Sequence, residues 1–369
     1  MKVAVDATPL LGQRSGVGRY LEGLLTGLAE LDAAPEPILT LFSIRGRPPE
    51  PPPPGTSMAP RRAPARLLSR MWARVPFPPV ELLTGRVDVF HATNFVLPPL
   101  ARAAGVVTVH DLTYLRFPET VDDNVARYRH LVPDAVRRAA RVVAVSQAMA
   151  DEISAEYRLG SDTVVVAPLG VSPEWAAAAP LPDDRRRALG LPERYVLFAG
   201  NREPRKNLGL LVRAHAAARR ADGDVPPLVV VGPVGWGDAF AGQTPDPRDV
   251  LLPGYLSDAD LRAAVAGADA VCAPSRYEGF GLPVIEAMAT GTPVLASDIA
   301  AHREVAGGLA NLLPVGDADS WTEALLRTPA AVDRTTSEAD RLRTHAAGFT
   351  WATCASRHIQ AYTAATSVT

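Results

Sequence analysis

The chain has 369 residues, of which 47% are hydrophobic and 21% are charged, and its 38 basic and 40 acidic side chains give a formal net charge of -2. This length favours two domains over one. No apolar run approaches the roughly 20 residues that a membrane-spanning helix needs, so an integral membrane protein is excluded. The near-neutral charge argues against a dedicated nucleic-acid-binding protein, which requires an excess of basic side chains.

The first residues of the sequence bear on the location of the protein, and its few cysteines and lysines bear on its chemistry. Met1–Asp6 enters an apolar strand without the pattern of an export signal, so we expect a cytoplasmic protein, with peripheral attachment to the inner face of a membrane left open. Cys272 and Cys354 lie far apart and are expected to be buried thiols. Lysine occurs only as Lys2 and Lys206, so Lys206 is the single interior ammonium group.

Short apolar runs alternate with longer segments of helical period, which indicates βα units built on parallel sheets. In the first half the predicted strands are Val3–Asp6, Leu39–Ile44, Val87–His91, Val106–Val109, Val142–Val145 and Val164–Ala167. In the second half they are Tyr195–Ala199, Leu228–Val231, Val250–Leu252, Ala270–Ala273, Pro293–Ala296 and Asn311–Leu313. The pattern predicts two doubly wound α/β domains whose ligands bind at the carboxyl ends of the strands.

The domain boundary is expected in the run Ser172–Pro182, which has the composition of a linker. We therefore predict an N-terminal domain over 1–172 and a second domain over 173–349. Thr350 is placed to cap a final helix over 350–369, with a bulky stripe that includes Trp351, His358 and Tyr362. This helix is expected to pack across the domain junction onto the first domain.

A proline-rich stretch, Arg47–Gly55, is incompatible with helix or sheet and predicts an exposed loop. The following segment, Arg61–Val80, has no acidic residue, and its five arginines are Arg61, Arg62, Arg66, Arg70 and Arg74. Leucine, methionine and aromatic residues interleave with them. Two interpretations stay open: a solvated helix with an apolar inner face, or a basic amphipathic helix that rests on anionic lipid.

Three other features are assigned structural roles. A helix over Lys206–Ala221 carries His215 on its apolar stripe, where we expect it to pack in the core. The triplets Asp258–Asp260 and Asp317–Asp319 open helical patterns, so they are interpreted as helix caps and not as metal ligands.

The most informative segment is Pro274–Pro293. After a strand that ends near Ser275, two glycines lead into a helix that should contain Pro283 in its first turn and end at Gly291. The free N–H groups and positive dipole end of such a helix favour an anion. Glu278 and Glu286 flank this position, and carboxylates accept hydrogen bonds from the hydroxyls of a sugar or a ribose. The alternative is a helix cap and a surface charge.

A second cluster follows the strand Tyr195–Ala199. Arg202, Arg205 and Lys206 lie within five positions, at the end of a strand where doubly wound folds bind phosphate. Lys206 supplies a compact charge, and either arginine can contact two phosphate oxygens. A solvated charged turn is the alternative, and which arginine pairs with Lys206 is left open.

The first half offers two further candidates. The segment Gln13–Tyr20 is a glycine-bearing loop that opens a helix, with Gly16 and Val17 as its central residues. His110 and Asp111 follow the apolar strand Val106–Val109, again at a carboxyl end, which favours a functional position.

With these motifs the chain resembles the retaining family 4 glycosyltransferases of the GT-B fold. The resemblance spans nearly the whole chain and rests on Glu278 and Glu286 with seven residues between them, on Arg205–Lys206, on His110–Asp111, on Ser15–Gly18 and on Pro168–Val171. One position departs from the family, since Asn201 stands where many members have arginine.

The resemblance implies two Rossmann-like domains facing a cleft and transfer of a hexose from a nucleotide-diphosphate sugar with retained anomeric configuration. It implies that His110, Glu278, Lys206 and Arg205 serve the reacting centre. Donor-binding residues are expected to be Gly16, Val17, Arg202, Asp111, Gly279, Phe280, Gly281, Leu282 and Glu286. Arg205 and Lys206 neutralise the leaving diphosphate in this scheme, so neither a metal nor another cofactor is expected.

GDP-mannose is the first candidate for the donor, because Glu203–Asn207 resembles the corresponding segment of bacterial mannosyltransferases. A glycan, a lipid-linked glycolipid precursor or a small molecule is the expected acceptor, and no nucleic-acid partner is expected. Three alternatives are a two-lobed sugar-binding protein, a sugar-nucleotide epimerase and a phosphorylase of similar fold. The first is normally exported, and the last needs a lysine for its pyridoxal cofactor.

Overall fold

The computed structural model describes residues 1–12, 16–46, 51–72, 75–328 and 336–367, without the side chains of Arg66 and Arg70. The chain forms two compact units. Unit 1 comprises Met1–Tyr114, Ala126–Gly170 and Phe349–Thr369, and unit 2 comprises Leu115–Val125 and Val171–Gly348. The divisions after Gly170 and before Phe349 lie beside the boundaries expected at 172/173 and 349/350. The grouping of Leu115–Val125 with unit 2 is not expected from the sequence.

Unit 1 contains a parallel sheet of seven strands. They are β1 (Val3–Asp6), β2 (Ile38–Thr40), β3 (Ser57–Met58), β4 (Val89–Ala92), β5 (Ala104–Val109), β6 (Arg141–Ala144) and β7 (Val164–Val166). The strand order is β3-β2-β1-β4-β5-β6-β7. The order reverses between β1 and β4, so the connections that follow these strands run in opposite directions and leave a crevice.

Unit 2 contains a parallel sheet of six strands with the corresponding plan. They are β8 (Val196–Ala199), β9 (Leu228–Val231), β10 (Val250–Gly254), β11 (Ala270–Ala273), β12 (Val294–Ser297) and β13 (Asn311–Leu313). The order is β10-β9-β8-β11-β12-β13, and its reversal falls between β8 and β11. The loops after β8 and β11 therefore carry the ligand-binding position of this sheet.

Helices connect the parallel strands. Before Gly170 they are α1 (Gly16–Ala29), α2 (Ala65–Trp72), α3 (Glu81–Thr84), α4 (Thr113–Arg116), α5 (Asp123–Ala126), α6 (Tyr128–Arg138) and α7 (Gln147–Tyr157). After it they are α8 (Pro173–Ala176), α9 (Asp183–Ala188), α10 (Leu208–Ala221), α11 (Asp258–Gly267), α12 (Leu282–Thr290), α13 (Ala300–Ala306), α14 (Ala318–Leu326), α15 (Ser337–Ala346) and α16 (Trp351–Thr366). Short 3-10 helices occupy Thr8–Leu10, Pro118–Thr120 and Pro204–Lys206.

The predicted fold class is confirmed, and the core follows from it. The strands β4, β5, β9 and β11 are buried along their whole length, as apolar runs covered by helices on both faces of a parallel sheet should be. Cys272 lies in one of these strands and Cys354 in α16, and both are buried free thiols, as predicted.

Every predicted strand is present, but several ends differ. The strand predicted over Leu39–Ile44 ends at Thr40, and Ile44 is 62% exposed. The helix predicted from Lys206 begins at Leu208, because Asn207 adopts a φ of 58° and separates it from the 3-10 turn. The strand β3 is absent from the prediction, since its two exposed residues carry no apolar pattern.

The final helix α16 packs in unit 1. Its first turn is capped by Thr350, whose hydroxyl accepts a hydrogen bond from the Thr353 N–H at 3.0 Å, as predicted. Trp351 lies across Gly23 and Gly27 of α1, so close that a Cβ on either glycine would overlap it. Cys354 and Tyr362 of α16 are completely buried, whereas Trp351 and Ile359 on the same face are half-buried.

The basic segment forms a shorter helix than its composition suggests. Helix α2 ends at Trp72, whose indole N–H donates to the Pro78 carbonyl at 2.9 Å. Leu68 is 3% exposed and packs inward, whereas Leu67 and Phe77 are more than half exposed. The structure does not describe the side chains of Arg66 and Arg70. Arg74 and residues 47–50 of the proline-rich loop also lie outside the described residues.

The interpretations of His215 and of the aspartate triplets are tested directly. His215 is buried and its Nε2 lies 2.8 Å from the Pro226 carbonyl, so it is a core residue. Asp317 caps α14 as predicted. The cap of α11 is instead Ser257, while Asp260 pairs with Arg185. Among the described residues, no helix is long and apolar enough to cross a membrane.

Candidate active site

The cationic residues after β8 are presented by a tight turn. The 3-10 helix Pro204–Lys206 is closed by Asn207, whose positive φ of 58° starts α10 in a new direction. This geometry directs the side chains of Arg205 and Lys206 toward the loop that follows β11, the neighbouring strand. The sheet therefore brings together two motifs that are 72 residues apart in the chain.

Glu278 is the common partner of both cations. Its Oε1 accepts from Lys206 Nζ at 2.5 Å and from the Ser275 hydroxyl at 2.7 Å, and its Oε2 accepts from Arg205 Nη1 at 2.8 Å. The three charged side chains are only 11% to 13% exposed. The carboxylate is thus fixed at both oxygens by charge-assisted hydrogen bonds.

Arg205 is held by a second acid and by the site loop itself. Its Nη2 donates to Glu203 Oε1 at 2.8 Å, and Nη1 also donates to the Tyr277 carbonyl at 2.7 Å. The backbone N–H of Arg276 donates to the Arg205 carbonyl at 2.9 Å. Glu203 is 4% exposed, so this guanidinium is oriented by buried partners on both of its ends.

The environment keeps Glu278 ionised. Burial alone would raise the pKa of this carboxyl, but the charges of Arg205 and Lys206 outweigh that effect and hold its pKa well below the ordinary range. Arg205 and Lys206 are balanced by Glu278 and Glu203, so the cluster carries no excess charge. An additional anion would be held by sharing the two cations with these carboxylates.

The glycine loop leads into a helix of the predicted form. Gly281 has a φ of 104°, a conformation that favours glycine, and Gly291 closes α12 with a φ of 77°. Phe280 and Glu286 are each 5% exposed, with Glu286 in the second turn of the helix. The first turn of α12 lies directly after Glu278–Gly281. Pro283 has no N–H and the Val284 N–H donates to the Gly281 carbonyl at 2.9 Å, so this turn contributes mainly the positive end of the helix dipole.

His302 is a member of this site that the sequence analysis missed. It lies in α13 after β12, is 1% exposed, and its Nδ1 is 2.9 Å from the Ser297 carbonyl. A Cβ on Gly281 would lie 3.0 Å from its Cδ2. Burial lowers the pKa of His302, and the nearby Glu278 opposes that shift. The only sequence signal was a histidine shortly after a strand end, which many core positions share.

Arg202 has different surroundings from Arg205. Its backbone forms an isolated bridge with Val234, and its Nε is buried without a hydrogen-bond partner among the described residues. Of the two arginines considered for the phosphate position, Arg205 is therefore the one that stands beside Lys206 on a shared partner.

The segment Leu115–Val125 borders the site loop of unit 2. The Arg276 guanidinium lies 4.8 Å from the centre of the Phe117 ring and 3.3 Å from Glu119. The Phe117 ring contacts that of Tyr277, and Trp236 Nε1 donates to the Thr120 carbonyl at 2.8 Å. These contacts support the two residues that immediately precede Glu278.

In unit 1, His110 follows β5 and is partly exposed. Its Nε2 lies 2.8 Å from the Thr93 carbonyl, and because a carbonyl only accepts, Nε2 carries the proton and Nδ1 is left as an acceptor. Desolvation lowers the pKa of His110, which keeps the ring neutral. The rings of Tyr20 and Phe95 pack edge-on against it at 4.9 Å and 5.5 Å.

The other unit 1 candidates lie after β5 and at the start of α1. Asp111 Oδ1 accepts from the Thr113 N–H at 2.9 Å, which orders the turn after His110. Gly16 and Val17 are the first residues of α1, with Gly16 exposed and Val17 half-buried. Gln13, Arg14 and Ser15 of that loop lie outside the described residues.

Within the portion of the chain that the structure describes, no three His, Cys, Asp or Glu side chains are grouped to hold a metal ion. The groups that could contact a ligand in unit 2 are two cations, a helix N-terminus and buried carboxylates.

Comparison with family models gives two matches. A model described as "Glycosyl transferases group 1" matches residues 193–329, and one described as "Glycosyltransferase Family 4" matches residues 14–175. Together they cover most of the chain. The first contains the cationic pair and both glutamates of the site, and the second contains His110 and Asp111.

Two curated proteins illustrate the similarity. O-antigen chain mannosyltransferase B of Escherichia coli is 29% identical over 282 residues, which cover 74% of each chain. D-inositol 3-phosphate glycosyltransferase of Actinosynnema mirum is 33% identical over 268 residues, covering 67% of this chain and 63% of that protein.

Solved structures share the fold at low identity. Sucrose-phosphate synthase from Thermosynechococcus elongatus superposes with a TM-score of 0.72 at 19% identity and covers both chains completely. Anabaena Alr3699/HepE, solved in complex with UDP, has a TM-score of 0.65 at 17% identity and covers 98% of this chain and 99% of its own.

Proposed function

Because the chain belongs to the family 4 glycosyltransferases and has their GT-B fold, we propose that it moves a hexose from a nucleotide-diphosphate sugar to an acceptor hydroxyl with retention of anomeric configuration. The donor in this proposal is GDP-mannose, and the acceptor is a glycan or a glycolipid precursor. Mannosyltransferases among the curated relatives support the sugar, while the structural neighbour HepE was solved with UDP. The base is therefore the first point to test.

One observation carries the proposal. Arg205 and Lys206 converge on Glu278, 2.8 Å and 2.5 Å away, directly before the N-terminus of α12. Such a cluster neutralises the charge that develops on a leaving diphosphate, which is the main electrostatic task in this reaction. A solvated charged turn would not bury its cations to this degree.

The overall reaction balances simply. The bond between the anomeric carbon and the diphosphate oxygen breaks, and a bond to the acceptor oxygen forms. The proton of the acceptor hydroxyl leaves with the diphosphate. Lys206 and Arg205 stabilise the diphosphate product, so in this proposal the transfer needs no metal ion.

The other candidate residues serve the donor. Glu278 and the loop Gly279–Leu282 hold the sugar, Glu286 accepts from the ribose, and His110 Nδ1 accepts from a sugar hydroxyl. Further donor contacts are proposed for Gly16, Val17, Asp111 and Arg202. In the free enzyme Arg205 and Lys206 pair with Glu278. In this proposal the bound diphosphate shares these two cations with Glu278.

Nucleotide binding tests the base. We expect GDP to raise the melting temperature more than UDP or dTDP at equal concentration, with the shift unchanged by a chelator. A ligand at a hundred times its dissociation constant adds about 2.7 kcal/mol to the free energy of unfolding. A larger shift with UDP would replace the donor assignment, and no shift with any of the three would contradict the nucleotide site.

Turnover tests the reaction class. With GDP-mannose as donor and octyl α-mannoside as probe acceptor, release of GDP should require the acceptor and continue in excess chelator. An epimerase would convert the donor without acceptor and without release of GDP. Chelation that stops transfer, with recovery on adding magnesium or manganese, would contradict the role given to the two cations.

The basic segment supports a further expectation about the acceptor. Leu67, Val75 and Phe77 are at least half exposed on a stretch that carries five arginines. Each basic residue near an anionic membrane contributes about 1 kcal/mol to binding, so this stretch is suited to reversible attachment beside a lipid-linked acceptor.

Co-sedimentation with vesicles tests this attachment. We expect binding to vesicles that contain anionic lipid, weakening as salt rises, and loss of binding when Arg66, Arg70 and Arg74 are changed to Glu. The control changes the exposed Arg137, Arg187 and Arg327 to Glu and should retain binding. Equal recovery in the supernatant with neutral and anionic vesicles would favour the solvated-helix interpretation.

A further inference from the structure

Five buried side chains in unit 1 form an unbroken line of hydrogen bonds. In order they are Tyr362, His91, Thr108, Tyr20 and His358, and the line ends at the backbone carbonyl of Cys354. Each of the five is at most 1% exposed. The five successive distances lie between 2.8 Å and 2.9 Å. The line joins α16, α1, β4 and β5.

The direction of every hydrogen bond follows from the carbonyl at one end. A carbonyl only accepts, so His358 Nδ1 must donate to Cys354 O at 2.8 Å. The neutral ring then has its lone pair on Nε2, which accepts from the Tyr20 hydroxyl at 2.8 Å. Since Tyr20 uses its proton there, its oxygen accepts from the Thr108 hydroxyl at 2.9 Å.

The same logic fixes the other half of the line. The proton of Thr108 is committed to Tyr20, so His91 Nε2 must donate to Thr108 Oγ1 at 2.8 Å. His91 is then an acceptor at Nδ1, where the Tyr362 hydroxyl donates at 2.9 Å. The two histidines therefore hold opposite tautomers, with the proton on Nδ1 in His358 and on Nε2 in His91.

The charge states agree with this arrangement. Burial lowers the pKa of His358 to about 4 and that of His91 well below its ordinary value, so both rings are neutral near pH 7. Burial also raises the pKa of both tyrosine hydroxyls, which keeps their protons in place. Every hydrogen bond of the line then has one donor and one acceptor.

Tyr20 connects this line to the candidate active site. The Tyr20 hydroxyl is held by hydrogen bonds to Thr108 and His358. The Tyr20 ring packs edge-on against one side of the His110 imidazole, with 4.9 Å between ring centres and an angle of 76°. Thr108 lies two residues before His110 on β5. A shift of the Tyr20 ring would therefore move its contact with His110 as well.

We propose that Tyr20 and His358 are positioning residues that hold His110 in its working orientation, so that the last helix of the chain takes part in the active site of unit 1. This role rests on the function proposed for His110. The line of hydrogen bonds fixes the hydroxyl of Tyr20, the ring of Tyr20 fixes His110, and His110 directs Nδ1 to the sugar. A ring misplaced by a fraction of an ångström would lower the rate of transfer without changing how the nucleotide binds.

Nitrogen NMR of the histidine rings tests the line without any activity. In the wild-type protein His358 should show its proton on Nδ1, and His91 and His110 should show theirs on Nε2. A single tautomer at each ring is expected across neutral pH. The proton on Nε2 of His358, or exchange between tautomers in His91, would overturn the proposed line even if every variant failed to fold.

Two matched variants test the positioning role. Tyr20→Phe and Tyr362→Phe each remove one buried hydroxyl that donates to one histidine nitrogen, but only Tyr20 contacts His110. We expect Tyr20→Phe to shift the ring signals of His110 and to lower kcat about tenfold, with KM for the donor within about twofold. Tyr362→Phe should leave the His110 signals and kcat close to wild type.

A conservative variant and a removal separate positioning from stability. His358→Gln retains an acceptor near the position of Nε2 and should keep most of kcat, whereas His358→Leu should resemble Tyr20→Phe. Equal losses of kcat in Tyr20→Phe and Tyr362→Phe, in step with their melting temperatures, would show a merely structural role. The two parts of the proposal can fail separately. If His110→Ala retained full activity, the function given to His110 would fail. The physical coupling would still stand if Tyr20→Phe shifted the His110 ring signals in a protein that keeps His110.

Discussion

Replacing Lys206 with alanine should lower turnover by about a hundredfold or more while leaving the protein folded. Its side chain is 13% exposed and its Nζ lies 2.5 Å from Glu278 Oε1, so its charge acts in a poorly solvated position. Loss of one preorganised contact to a charge that develops in the transition state costs on the order of 3 kcal/mol. Arg205 and Ser275 remain in the variant, so Glu278 keeps one cationic and one hydroxyl partner.

The chain provides its own control for this substitution. Lys2 is the only other lysine and lies at the exposed start of unit 1, so Lys2→Ala should retain full turnover. GDP release with octyl α-mannoside as acceptor measures the rate, and circular dichroism checks the fold. Glu278→Ala should lose turnover to a similar degree. Wild-type rates in a folded Lys206→Ala protein would remove this residue from the reaction.

Replacing Gly27 with alanine should destabilise unit 1 by about 3 kcal/mol. A Cβ at this position would overlap the backbone carbonyl of Trp351, and backbone atoms cannot rotate away. Overpacking of this kind typically costs 1 to 3 kcal/mol, and relief here requires α16 to move off α1. The sign of this change in the free energy of unfolding is informative, because replacing Gly with Ala within a helix otherwise stabilises a protein by up to about 1 kcal/mol.

Gly16→Ala is the matched control, since it lies at the start of the same helix and a Cβ there meets none of the described residues within 4 Å. Hydrogen exchange of residues 351–366 during urea titration reports whether α16 has separated. The Gly27 variant should lose protection there at lower urea than wild type, and the Gly16 variant should not. Unchanged protection in Gly27→Ala would mean that α1 and α16 pack less closely than described.

The elements that sequence could predict are those governed by local chemistry. The apolar runs of β1, β9 and β11, the glycine ends of α12 and the cap Thr350 each depend on a few neighbouring residues, and all were found where expected. The pattern placed Arg205 and Lys206 in one cluster and Glu278 in another, because charged side chains followed buried strands. That the three residues serve one reacting centre was implied by the family resemblance.

The rest depends on contacts between distant parts of the chain. The sequence assigned Arg205 and Lys206 to a phosphate, but their pairing with Glu278 follows from the adjacency of β8 and β11. His302 reaches the same loop from a third connection, with no local signal to distinguish it from a core histidine. The grouping of Leu115–Val125 with unit 2 likewise depends on partners more than 100 residues away, such as Trp236.

Unit 1 is assembled from segments on either side of Val171–Gly348, because α16 completes the packing around α1. During synthesis α16 leaves the ribosome after the other elements of both units, so α1 and β4 emerge well before Tyr20 and His91 can acquire their partners in α16. The segment Val171–Gly348 of unit 2 is complete before that moment. A nascent chain therefore carries a complete Val171–Gly348 segment while unit 1 still lacks α16, and a premature stop shortly before Trp351 would damage unit 1 more than unit 2.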